Sequence, residues 1–88
     1  MNEETRKDML PEYLTRDEAG DYLQVDGRKI DMFRKNGLLR FGRLGRNYIY
    51  KKTWLDDFME EWSGYDLSSE DNIRLSIKSR NWRDTHNI

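Results

Sequence analysis

Arginines flank a glycine in the stretch Arg43-Leu44-Gly45-Arg46-Asn47, and a pair of lysines follows a few residues later. A guanidinium group is a planar fork of N–H donors that matches the oxygens of a phosphate or carboxylate, and an ammonium group adds a compact positive charge. A glycine between strand-like residues predicts the tip of a β-hairpin. The candidate anion-binding residues of this hairpin are Arg43, Arg46, Asn47, Lys51 and Lys52.

The distribution of charge places this stretch in a longer basic segment. The chain has 88 residues and a net charge of −1, yet residues 27–52 hold nine basic side chains and one acidic one. The segments on either side, residues 1–26 and 53–72, are strongly acidic. One basic surface on an otherwise acidic body is typical of a protein with a polyanionic partner.

Catalytic chemistry has little support in the sequence. The acidic pairs at 56–57 and 60–61 carry carboxylates of the kind that acid–base catalysis uses, but they fall on the exposed side of a predicted helix with no histidine beside them. The single histidine, His86, lies near the C-terminus. Gly42 and Gly45 belong to the hairpin, and no phosphate-binding glycine loop is present. We therefore predict no catalytic residue, no metal site and no cofactor, in a protein that is not an enzyme.

Length and composition bound the class of protein. Eighty-eight residues make a single domain, and 35% hydrophobic against 38% charged residues leaves a small core, which eleven aromatic residues must largely fill. The absence of cysteine excludes disulfides and fits a reducing compartment. No apolar run is long enough to span a membrane, and the acidic N-terminus is not a signal peptide. The sequence predicts a soluble cytoplasmic protein without a membrane partner.

Two short helices are predicted before the hairpin. Thr15 and Glu18 form a capping box, which predicts a first helix over residues 16–23. Asp26 is a good N-cap, which predicts a second helix over residues 27–36. The short connection between them allows only a tight turn, so we expect a helix-turn-helix.

Strand-like runs and a third helix follow. The runs 38–43 and 47–51 predict a hairpin that turns at Leu44-Gly45. Thr53 is expected to cap a helix over residues 54–62, because apolar residues recur there at helical spacing. The stripe that closes the core consists of Trp54, Leu55, Phe58, Met59 and Trp62.

The C-terminal segment, residues 64–88, fits two structures. Ile73 and Ile77 lie one helical turn apart, but Ile73, Leu75 and Ile77 also alternate as in a strand. We favour a short helix and expect the last six residues to be disordered. The cations of this tail either extend the binding surface, join a neighbouring copy or pair with the acidic helix; they are Arg74, Lys78, Arg80 and Arg83.

The order helix, tight turn, helix, basic hairpin and helix resembles the excisionase-type winged helix-turn-helix module, a relative of MerR-type DNA-binding domains. The segment LTRDEAGDYLQV is similar to the opening helix of that family, and residues 25–39 are similar to its recognition helix and exit. The segment RLGRNYIYKKTWLDDF resembles its wing and final helix. Arg40 departs from the pattern where proline is common, and Trp54 where a small acidic residue is. Further departures are Gln24, Asp26 and Gly27.

The resemblance implies a mainly α fold with a small β-hairpin, arranged as a winged helix-turn-helix. The winged domain would cover residues 13–63. A polar arm over residues 1–12 would precede it, and residues 64–88 would form a C-terminal extension with a frayed end.

The resemblance also implies that double-stranded DNA is the polyanion. The second helix would enter the major groove, and the wing would lie in the minor groove or on the backbone. Arg28 and Lys29 lie at the helix end that meets base edges, and Arg34 and Lys35 would contact phosphates. We expect Asp31 to pair with Lys35 within the helix, rather than to accept from a cytosine amino group.

Several roles fit a module of this kind. Members of the family serve as excisionases that bend DNA for a recombinase, as small repressors, and as packaging or plasmid proteins. We favour an excisionase-like accessory factor in DNA recombination by a mobile genetic element, with a recombinase or neighbouring copies on DNA as further partners. The alternatives are a small phage or plasmid repressor of transcription, a packaging or segregation protein, and, in a different class, an interaction module that binds a recombinase through its acidic helices.

Overall fold

The computed structural model describes residues 12–86 and shows a mainly helical protein with one small antiparallel sheet. Within that range the elements are, in order, β1 (Tyr13–Leu14), α1 (Arg16–Leu23), α2 (Gly27–Lys35), β2 (Gly42–Leu44), β3 (Asn47–Lys51), α3 (Lys52–Glu61) and α4 (Glu70–His86). The prediction of a mainly α protein with a small hairpin is confirmed at this level. The predicted arm over residues 1–12 lies outside the described residues, apart from Glu12.

The chain divides into two compact units, whose boundary lies between Phe58 and Met59 inside α3. The first unit contains β1, α1, α2, the β2–β3 hairpin and the start of α3. The second contains the end of α3 and α4. In the part of the chain that the structure describes, no helix combines the length and apolar character needed to cross a bilayer.

The start of α1 and the N-cap of α2 are formed by the residues that the sequence predicts. The Thr15 hydroxyl accepts a hydrogen bond from the Glu18 backbone N–H at 3.2 Å, and the Glu18 carboxylate accepts one from the Thr15 N–H at 2.9 Å. Asp26 caps α2 by accepting from the Arg28 N–H at 2.8 Å. These contacts satisfy backbone donors that the first turn of a helix leaves unpaired.

The connection between α1 and α2 depends on Gly20. A Cβ added there would lie 2.6 Å from the carbonyl oxygen of Val25 and 3.3 Å from the backbone nitrogen of Gly27. Gln24 completes the turn with a left-handed backbone, φ 61°. The two helices therefore approach more closely than any side chain at Gly20 would allow.

The hairpin differs from the sequence prediction by one residue at its turn. Leu44 pairs with Asn47 and Arg43 with Tyr48, so the loop consists of Gly45 and Arg46 rather than Leu44 and Gly45. Gly45 has φ +65°, which is the conformation required of the first loop residue in a type II′ turn. The predicted first strand over residues 38–43 was too long, because only its end joins the ladder.

A third strand, β1, was not predicted, because it is only two residues long. Leu14 pairs with Tyr50, which places β3 in the middle of the sheet. Strand β3 therefore has a neighbouring strand on each side, and its Tyr50 side chain is fully buried. The core of the first unit comprises Leu14, Ala19, Ile30, Phe33, Leu39, Tyr50, Leu55 and Phe58.

Helix α3 begins one residue before Thr53, so the predicted cap is wrong. The Lys52 backbone N–H donates to the Glu12 carbonyl oxygen at 3.0 Å, and the chain passes from β3 into the helix without a linker. The rings of Phe33 and Phe58 lie 4.8 Å apart, so the predicted stripe does contact α2. It fails at Met59, which is exposed.

The second unit shows that the helical alternative for the tail is correct. The Ser69 hydroxyl accepts from the Asn72 N–H at 3.2 Å at the start of α4. Ile73 is fully buried whereas Leu75 is exposed, which a strand with both on one face would not give. The expected disorder is wrong for residues 83–86, because α4 continues to His86.

Candidate nucleic-acid interface

Asp31, the single acidic residue of the basic segment, forms ion pairs with two arginines. Its carboxylate lies 2.9 Å from Arg16 Nε and 3.4 Å from an Arg34 Nη. The predicted pair with Lys35 is wrong, since an arginine from α1 reaches Asp31 instead. The Arg16 side chain passes Gly27, where a Cβ would lie 3.1 Å from the Arg16 Cζ. Lys35 remains exposed without a carboxylate partner among the described residues.

The first turn of α2 holds an exposed arginine. The Arg28 side chain is 85% exposed, and its Nε lies 3.4 Å from the Asp26 carboxylate. The backbone N–H of Arg28, and then its side chain, hold the pKa of Asp26 below its ordinary value. The guanidinium is therefore oriented at the helix start but remains open to a ligand. Lys29 beside it is half-buried.

Arg34 has a different position from the one expected for a phosphate contact. Its side chain is only 12% exposed, and its guanidinium carbon lies 3.8 Å from the centroid of the Tyr48 ring. The reason is that the Tyr48 side chain of β3 reaches the C-terminal half of α2 and contacts Arg34 there. Arg34 therefore connects α2 to the hairpin, between Asp31 and Tyr48, and exposes little surface to a polyanion.

Tyr50 lies beside this arginine in the core. Burial raises the pKa of the Tyr50 hydroxyl, and the neighbouring Arg34 guanidinium opposes that rise. Within the described residues, neither Tyr50 Oη nor Arg34 Nε has a hydrogen-bond partner of ordinary geometry. The two groups are close enough for the guanidinium to act on the phenol, but their contact lies outside ordinary hydrogen-bond geometry.

The hairpin tip brings Arg43, Arg46 and Asn47 together, all of them exposed. Arg43 Nε donates to the Gly45 carbonyl oxygen at 3.2 Å, and the guanidinium carbon lies 5.3 Å from the Tyr48 ring centroid. In the part of the chain that the structure covers, neither Arg43 nor Arg46 forms an ion pair with a carboxylate. The tip is thus a small exposed cationic surface.

The lysines at the end of the hairpin are less available. Lys51 Nζ lies 3.8 Å from a Glu12 carboxylate oxygen and 5.9 Å from the Tyr13 ring centroid. Lys52 is half-buried as the first residue of α3. The structure places both at the base of the hairpin rather than at its tip.

Arg40 is an exposed cation that the sequence analysis did not select. Its guanidinium carbon lies 4.9 Å from the Trp54 ring centroid, within cation–π range, and no carboxylate of the described residues pairs with it. Both residues depart from the excisionase-type pattern that the sequence resembles, and they contact each other. Their joint departure was a signal that Arg40 has a supported position.

The tail cations divide into paired and exposed ones. Arg74 lies 3.4 Å from Glu70 and 3.5 Å from Asp71, and Arg80 lies 2.6 Å from Glu61. These three contacts lie within the second unit, where the basic side chains offset nearby acidic ones. The members that form no such ion pair in the described range are Lys78 and Arg83.

The acidic side chains of the described residues do not cluster in a way that would hold a metal ion. Among residues 12–86, no group of three or more histidine, cysteine, aspartate or glutamate side chains is placed to hold a metal ion. The pairs at 56–57 and 60–61 are exposed, as expected from their helical positions.

Comparison of this chain with protein-family models, curated proteins and solved structures finds no match. Function is therefore inferred from the residues and their geometry.

Proposed function

We propose that this protein binds double-stranded DNA through a winged helix-turn-helix formed by α1, α2 and the β2–β3 hairpin. The observation that carries the proposal is the exposed cationic tip of the hairpin, Arg43 and Arg46, next to a helix whose one acidic residue is already neutralised. Exposed guanidinium groups without carboxylate partners bind phosphates at little desolvation cost.

In this proposal α2 enters the major groove with its N-terminal turn foremost. Recognition helices present the residues of that turn to base edges. Arg28 is the best placed of them, because it is 85% exposed and its guanidinium lies beside Asp26 at the start of the helix. An arginine in this position suits the two acceptors of a guanine edge.

The hairpin acts as the wing. Arg43, Arg46 and Asn47 lie at or beside a two-residue turn and would enter the minor groove, where a narrow and strongly negative stretch attracts guanidinium groups. Lys35 and Arg40 supply further exposed charge for the backbone. Arg34 supports the wing instead of touching DNA.

The biological role follows from the resemblance to excisionases rather than from the geometry. An excisionase-like accessory factor of a mobile element would bind several adjacent sites and bend the DNA. A small repressor would bind one operator, and a packaging or segregation protein would bind repeats near its own substrate sequence. The arrangement of sites on the DNA separates these roles.

The proposal is tested by fluorescence anisotropy with duplexes tiled across the DNA around the gene. The wild type is compared with Arg43→Ala/Arg46→Ala, and with Arg74→Ala/Lys78→Ala as a control that removes the same charge from α4. We expect salt-sensitive binding that the hairpin variant loses and the control largely keeps, because phosphate binding releases counterions. Weak binding on every tile, equal for all three proteins, would contradict DNA binding and favour a protein partner for the acidic helices.

A further inference from the structure

The Tyr48 ring contacts side chains of both α2 and the hairpin. Two guanidinium carbons lie within cation–π range of its centroid, Arg34 at 3.8 Å and Arg43 at 5.3 Å. Phe41 meets the same ring edge to face, with the centroids 5.4 Å apart. The ring is half-buried in this surround, so its orientation is fixed from several sides.

Arg34 fixes the ring from the side of α2. Its guanidinium lies 3.4 Å from Asp31, which is itself held by Arg16 at 2.9 Å. A side chain that is only 12% exposed, and whose guanidinium contacts both Asp31 and the Tyr48 ring, has few alternative rotamers. Tyr48 is therefore joined to α1 and α2 through a continuous chain of contacts.

Arg43 contacts the Tyr48 ring from the hairpin. Its Nε donates to the Gly45 carbonyl oxygen at 3.2 Å, which occupies the inner donor of the guanidinium. The two terminal nitrogens remain available, and they form the edge that binds a phosphate in a bidentate manner. An arginine fixed in this way loses less side-chain entropy on binding than a mobile one.

We propose that Tyr48 is a positioning residue that holds Arg43 for a bidentate contact with a DNA phosphate. The inference rests on the proposed function, since it concerns the same wing. Arg46, across the turn, has no such aromatic support among the described residues and serves as the internal comparison.

A double-mutant cycle tests the inference, with duplex affinity measured at several salt concentrations for Tyr48→Leu, Arg43→Ala and the combination. Arg43→Ala should weaken binding about tenfold and reduce the salt slope by about 0.9, the value for one phosphate. In the Tyr48→Leu background the same change should have little further effect. Tyr48→Phe, which keeps the ring face, should bind as the wild type does.

The comparison cycle replaces Arg43→Ala with Arg46→Ala, whose effect should be the same with or without Tyr48. A general loss of folding in Tyr48→Leu would reduce both arginine effects, so only a selective loss at Arg43 supports positioning. Additive effects of Tyr48 and Arg43 would overturn the inference while leaving DNA binding intact. Absence of any effect of Arg43 or Arg46 would instead overturn the proposed function.

A measurement on the wild type covers the case in which Tyr48→Leu does not fold. The Nε–H resonances of arginines are resolved by NMR, and ring currents shift a proton that is held near an aromatic ring. We expect Arg43 to give a shifted, slowly exchanging Nε–H signal and Arg46 an unshifted, fast-exchanging one. Equal signals from the two arginines would overturn the positioning role.

Discussion

At the residue scale, Arg34 and Tyr50 are neighbouring polar side chains at the edge and in the interior of this small core. Both side chains carry a buried polar atom without a hydrogen-bond partner of ordinary geometry in the described structure. The Arg34 guanidinium offsets the cost of its buried Nε through its contacts with Asp31 and the Tyr48 ring. The phenol of Tyr50 contributes mainly its buried ring.

Tyr50→Phe should therefore change the free energy of unfolding by less than about 1 kcal/mol, because it removes a hydroxyl without a hydrogen bond of ordinary geometry. Urea denaturation measures this change. Tyr50→Ala, the control, should cost about 3 kcal/mol or more through the lost ring. A loss of about 2 kcal/mol in Tyr50→Phe would mean that the hydroxyl does form a hydrogen bond.

The cap at Asp26 makes stability depend on pH. Its pKa is lowered in the folded protein, first by the Arg28 backbone N–H and then by the Arg28 side chain. The carboxylate therefore stabilises the fold above its unfolded pKa of about 3.9, and this contribution is lost as the pH falls through the folded value. Asp26→Asn should be less stable than the wild type at pH 7, and the difference should shrink at acid pH.

Thermal unfolding of both proteins from pH 7 to pH 3 checks this dependence. Asp21→Asn removes another exposed carboxylate of the same helix pair and should leave a much smaller difference at pH 7. A difference between wild type and Asp26→Asn that grows toward acid pH would contradict the role of the charged cap.

At the element scale, the junction of α1 and α2 positions Arg28 for its proposed contact. The space at Gly20 is closed by the Val25 carbonyl oxygen, which is backbone and cannot swing away. Gly20→Ala should destabilise the protein although alanine is favoured in helices by about 1 kcal/mol. A fall in the melting temperature for Gly20→Ala, and none for Asp21→Ala, is the expected result. Higher stability in Gly20→Ala would show that the turn yields.

Elements with local signals were predictable from the sequence, and elements made by long-range pairing were not. Thr15, Glu18 and Asp26 satisfy backbone groups a few residues away, so α1 and the start of α2 follow from local spacing. Strand β1 exists only because Leu14 pairs with Tyr50, far along the chain. A local pattern of two residues does not predict a pairing with so distant a strand.

The candidate site was predictable to the same degree. The exposed residues of the hairpin tip follow from composition and turn chemistry. The inward position of Arg34 does not, because it depends on a contact with the Tyr48 ring, which is distant in the sequence. Likewise, the contact of Arg40 with Trp54 joins a loop to α3. The only sequence signal for it was that both residues differ from the excisionase-type pattern that the sequence resembles.

At the scale of the whole molecule, the exposed carboxylates of α3 are expected to oppose DNA binding by long-range repulsion. Asp57→Asn/Glu60→Gln should raise the association rate with duplex DNA at low salt and leave the salt slope unchanged, since neither residue touches phosphate. Asp56 is left unaltered because it accepts a hydrogen bond from Tyr22 at 2.9 Å. Stopped-flow fluorescence measures the rate, and slower association would mean that α3 itself binds the partner.

The central claim is that the start of α2 and the hairpin tip bind DNA together, and amide NMR shifts on adding a duplex test it most directly. The account predicts that the largest shifts fall on residues 27–29 and 43–47, and that Arg43→Ala/Arg46→Ala removes them without altering the free spectrum elsewhere. Shifts confined to α3 and α4, or no shifts at low salt, would contradict it.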